Sequence, residues 1–134
     1  MLKLDTVKIE LSRLGFNYEN NILPGHSVAK IKWVLPVGPV VLTKMNSSTS
    51  FLFGFTKDGV FIFPVSGDWH IDDAALIPWK EITDFKMKKG LLENTMEIKT
   101  LQMKVSLKIN KKVAGNPWVK SNVQYLEENN YFRY

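Results

Sequence analysis

The stretch GDWHIDD, residues 67–73, holds three carboxylates and one of the chain's two histidines. Asp68, His70 and Asp72 would offer oxygen and imidazole donors of the kind that hold a divalent metal. A histidine beside carboxylates is also the raw material of acid–base chemistry. The spacing argues against both. Ligands at every second position of a loop match no zinc pattern. A hand-type calcium loop needs glycine at its sixth position and glutamate at its twelfth, and counting from Asp68 these are Asp73 and Trp79. No nucleophile or oxyanion hole accompanies His70 in the pattern. The stretch therefore reads as a solvated loop anchored by Trp69 and Ile71, and no catalytic residue, metal or cofactor is assigned.

The remaining chemistry-bearing residues are cationic. Sixteen lysines and only two arginines give a net charge of +5. Nucleic-acid readers favour the arginine fork, so the balance argues against nucleic acid. Lys86, Lys88, Lys89, Lys111 and Lys112 form a candidate anionic-surface patch if the strand turns that carry them converge. The favoured reading of these lysines is cross-strand pairing with glutamates, at about 0.2–1 kcal/mol per pair. The phenylalanines at 51, 53 and 55 have the period to stack bases, but no basic residue lies among them, and they read as core. LPVGPVV, residues 35–41, carries no phosphate-binding glycine pattern. His26, after Pro24-Gly25, reads as a turn residue.

These residues need a scaffold. A chain of 134 residues fits one domain over 1–134 and needs no staple to fold. The absence of cysteine excludes disulfides and thiolate chemistry within this chain. The N-terminal residues alternate charges with apolar positions and contain no signal-peptide core, and no run approaches the roughly 18 apolar residues of a membrane span. A cytoplasmic location is expected.

Val7, Leu11 and Leu14 lie on one helical face, although Val7, Ile9 and Leu11 also alternate as a strand would. The Gly15-Phe16 exit favours a helical extension over about 4–15, with Asp5 at its start. SVAKIKWVL and VVLTKM, residues 27–35 and 40–45, read as strands separated by the proline-rich PVGP. SFLFGFTKDGVFIFPV reads as an aromatic hairpin turning at Asp58-Gly59, with a loop of two or three residues. LLENTMEIKTLQMKVSLKIN reads as two alternating strands. A loop at Thr100-Leu101 would put Met96 opposite Val105 and Leu92 opposite Ile109 on the inner face and Glu93 opposite Lys108 on the other, and a turn at Lys89-Gly90 would put Lys86 opposite Glu93. The chain ends in a helix, with Asn116 as cap, Pro117 in its first turn, and Trp118, Val119, Asn122, Val123 and Leu126 on one stripe.

This order resembles the bacterial pleckstrin-homology-like (PH-like) family. The residues that carry the resemblance are ILPGHSV, FGFTKDGVFIF and IPWKEITDFKMKKG, across about 22–132. It implies an α+β, mainly β fold: a split barrel of about seven antiparallel strands with a C-terminal capping helix. It also implies a non-enzymatic binding module, with a protein or peptide as the leading partner at the edge of the first strand, SVAKIKWVL. An anionic surface, lipid headgroup or nucleic acid, is the alternative. Lipid-binding members of the wider superfamily place cations on the first two strands and their loop. Here that loop is the apolar PVGP, which argues against a phosphoinositide site there. The aromatic tail YFRY is expected to dock on its own domain, with a homo-oligomer as the other outcome.

Overall fold

The structure is a computed structural model that describes residues 3–26, 50–65, 71, 74–101, 104–113 and 116–133. The strands read at 27–35 and 40–45 and the charged residues Asp68, His70, Asp72 and Asp73 lie outside the described residues.

Among the described residues there are seven strands, all paired antiparallel, and two α-helices. Helix α1 spans Leu4–Arg13. Strands β1 to β7 are Ile22–His26, Ser50–Thr56, Gly59–Val65, Ala75–Pro78, Ile82–Lys88, Glu93–Thr100 and Lys104–Asn110, and helix α2 spans Trp118–Glu128. The strand order is β4-β3-β2-β1-β7-β6-β5. The two edge strands are thus consecutive in the chain, joined only by the 3-10 turn Trp79–Glu81. In a flat sheet, six spacings of about 4.8 Å would hold the edges roughly 29 Å apart. A three-residue link reaches only about 10–14 Å. The sheet must therefore roll up, bringing β4 near β5 without pairing them. The T-shaped contact of Trp79 with Phe85, at 5.2 Å between ring centroids, sits at this seam.

Rolling gives the sheet two differently covered faces. The inner face gathers Leu23, Phe53, Phe55, Ile62, Ile77, Phe85, Met96, Ile98 and Leu107 into one cluster with Val123 and Leu126 of α2. On the outer face of β1–β3, Val7 and Leu11 of α1 cover Ile22, Leu52, Phe63 and Val65. Phe51, Phe53 and Phe55 are buried, as the core reading expected.

The helix reading of residues 4–15 holds. Phe16 donates its backbone N–H to the Leu11 carbonyl and Gly15 donates to Ser12, while Gly15 takes the left-handed φ of +81°. This paired pattern is the helix stop that glycine favours. Asp5 lies in the first turn and not at the cap, which is Lys3. Asn116 likewise caps no backbone amide with its side chain: Pro117 already has helical angles, and the Asn116 amide oxygen accepts from the Trp118 indole at 3.3 Å.

The strand readings change at β1 and in the registers of the last three strands, and the first hairpin's loop length is settled. ILPGH is strand β1, and His26 is its last residue and not a turn residue, with Nε2 3.8 Å from Glu93. Gly25 is what lets β1 cross so close to β7, because a Cβ there would lie 2.2 Å from the Lys108 carbonyl oxygen. In the first hairpin Thr56 pairs with Gly59, so the loop is the two residues Lys57-Asp58. The register of the last three strands slides by two residues between β6 and β7: Met96 faces Leu107, Glu97 faces Ser106 and Thr95 faces Lys108. Between β5 and β6, Lys86 faces Glu97 and not Glu93. The inward and outward sets survive, because an even slip preserves the period of two. The expected row Lys86–Glu93–Lys108 does not form.

Candidate functional site: a lysine-lined groove beside the closing helix

The β5–β6 turn, the segment after β7 and helix α2 meet around a groove of ≈ 430 Å³. Each wall has a local cause. At the turn, Gly90 is held against the start of β6: a Cβ on it would lie 2.2 Å from the Glu93 carbonyl oxygen, and its N–H donates to the buried Asn94 side chain at 3.3 Å. Lys111 fixes the same turn from β7's side, with Nζ donating to the Gly90 carbonyl at 2.9 Å. Helix α2 forms the opposite wall. Val123 points into the core, and Lys120 and Glu127 line the groove.

Four lysines line this groove, Lys89, Lys111, Lys112 and Lys120, with one carboxylate, Glu127. Lys89 lies 3.9 Å from Glu127, with its side chain still 72% exposed. Lys112 and Lys120 are exposed, and among the described residues no ion pair engages either of them. At the rim, Leu91 and Leu92 are 93% and 73% exposed.

The expected patch is therefore divided. Lys89, Lys111 and Lys112 converge. Lys86 and Lys88 face outward on β5, where Lys86 lies 3.6 Å from Asp84 and Lys88 lies 3.3 Å from Glu97. Lys120 was missed: it sits eight residues beyond Lys112, on the polar side of a helix read only for its apolar stripe. Leu92 was expected inside, opposite Ile109, and the shift of the turn to Leu91-Leu92 expels it.

Two further groups tie α2 to β1 and Ile71 to α1. Asn122, buried in the apolar stripe, donates to the Ile22 carbonyl at 3.0 Å and to the Tyr18 hydroxyl at 2.9 Å. Burial pushes the Tyr18 hydroxyl above its ordinary pKa, partly offset by that hydrogen bond. Ile71, the described residue within GDWHIDD, is buried. Its N–H donates to Glu10 at 3.2 Å, and its carbonyl accepts from Arg13. The anchoring role read for Ile71 is thus met by α1.

A second cavity, of ≈ 340 Å³, lies between the loop after α1 and the β2–β3 turn, with Phe16, Phe61 and Phe132 beside Glu19, Lys57 and Asp58. No helix among the described residues is long and apolar enough to cross a membrane. Comparison with protein-family models, curated proteins and solved structures finds no match for the chain.

Proposed function

We propose that the chain is a non-enzymatic, cytoplasmic binding module of PH-like type that docks onto an anionic partner through the groove between the β5–β6 turn and α2. The rolled seven-stranded sheet with a C-terminal helix packed on its inner face supports the PH-like reading. The observation that carries the site is the convergence of Lys89, Lys111, Lys112 and Lys120 from three separate segments around one groove, against a single glutamate. Ammonium groups on exposed stems neutralise anions and raise their rate of encounter. The first-strand edge, the leading surface for a protein partner from sequence, lies outside the described residues, and the groove takes its place as the docking surface.

Binding of fluorescent polyglutamate, followed by anisotropy at low and physiological salt, tests the reading. The expected result is binding that weakens steeply with salt and is lost in Lys112→Glu/Lys120→Glu, whose fold is unchanged by circular dichroism. Binding that is insensitive to both charge reversals would refute the groove as the site.

A further inference from the structure

Attraction to an anion gives no role to the two leucines at the groove's rim. Leu91 and Leu92 stand at the tip of the β5–β6 turn, the first almost clear of its own chain. The tip is not loose. Gly90 is packed against Glu93, its N–H is bonded to Asn94, and its carbonyl is bonded to Lys111. A firmly held turn that lifts two adjacent leucines into water exposes apolar surface that a partner would bury.

We propose that Leu91 and Leu92 insert into the interface of an anionic lipid bilayer while Lys89, Lys111, Lys112 and Lys120 meet its headgroups. This inference rests on the anionic docking groove and names its occupant. Charge complementarity selects the partner: the apolar tip stands beside four cations, and an anionic leaflet presents negative headgroups above hydrocarbon in the matching order. Lysine stems suit this boundary, because they lie along apolar material while the ammonium stays at headgroup level. A soluble acidic peptide would satisfy the cations and leave the projecting Leu91 in water. Each fully buried leucine strengthens binding by about tenfold or more, and each lysine near the leaflet by about fivefold. Such increments suit reversible attachment.

The full chain can be tested by flotation with vesicles of pure phosphatidylcholine and of phosphatidylcholine containing about a third phosphatidylserine. Because the chain has no cysteine, Leu91→Cys also accepts a single environment-sensitive dye. Leu101→Cys, at the far end of β6 and 85% exposed, is its control. The expected result is flotation with anionic vesicles only, a blue shift at position 91 and none at 101. Leu91→Ser/Leu92→Ser should lose about a hundredfold or more in vesicle affinity while binding polyglutamate as the parent does. Unchanged flotation of that double variant, or equal shifts at both positions, overturns the insertion. Polyglutamate binding without vesicle binding leaves the groove standing and turns the partner into an acidic protein. Binding to neither removes both readings.

Discussion

Tyr131 gives the chain its clearest pH signature at the scale of single residues. Its ring is buried against Phe55 and Phe85. Burial first, and Glu127 second, push its hydroxyl from 10.0 to about 12. The folded state thus holds this proton more tightly than the unfolded chain does. The contribution is fully present below pH 10.0 and is lost as pH rises through about 12. Urea midpoints measured across that window should fall in the parent and fall less in Tyr131→Phe, with Tyr18 supplying part of the remaining slope; parallel curves would remove Tyr131 as the cause. A second residue-scale test is Asn122→Leu. The substitution keeps the apolar stripe but strands the buried Ile22 carbonyl, and leaving such a group unpaired costs about 1–3 kcal/mol. Chemical denaturation should show that loss, and an unchanged midpoint would mean the bond contributes nothing. Residue types alone could flag Asn122 as a polar residue in an apolar stripe. They could not show that its partners lie about a hundred positions away, because only the packing of α2 over β1 brings them together.

At the scale of elements, alternation was legible and register was not. Met96, Ile98, Val105, Leu107 and Ile109 point inward as their period of two requires. But each face of β6 accepts either of two registers differing by two residues, and the choice falls to the turns. Gly90 closes against Glu93 and leaves Leu91-Leu92 as the tip, something that residue counting around Lys89-Gly90 does not reveal. The same limit explains the site: Lys89, Lys111 and Lys112 were visible as cations, while Lys120 required knowing which side of α2 faces the turn. Glycine packing provides the test at this scale. Gly25→Ala would drive a methyl into the Lys108 carbonyl and the Phe53 ring, which lies 2.5 Å from the added Cβ. With two such contacts its stability should fall by about 3 kcal/mol or more, the upper end for an overpacked core. Gly15→Ala meets no neighbour but keeps the left-handed angle, so it should cost only about 1–2 kcal/mol. Equal losses at the two sites would contradict the close β1–β7 crossing.

For the whole molecule, the tail completes the roll. Asn130, Tyr131 and Phe132 all take positive φ, of 52°, 55° and 59°, a left-handed turn that disfavours L-residues by about 1–2 kcal/mol each. What it achieves is to set Tyr131 into the core, Phe132 against Tyr125, and Arg133 over Phe85 with a hydrogen bond to the Phe85 carbonyl. The tail thereby ties α2 to the edge strand β5 and holds the groove's two walls in one frame. Deleting residues 131–134 should lower the melting temperature while leaving the solution mass unchanged. A fall in mass would assign the tail to a contact between copies. The central claim, that the face between the β5–β6 turn and α2 is where this chain binds its anionic partner, is tested most directly by amide chemical-shift mapping of the labelled chain during titration with anionic bicelles. The largest changes should fall on residues 89–92, 111–112 and 120–124, and added salt should reverse them. Changes concentrated elsewhere, or none at saturating bicelles, would contradict it.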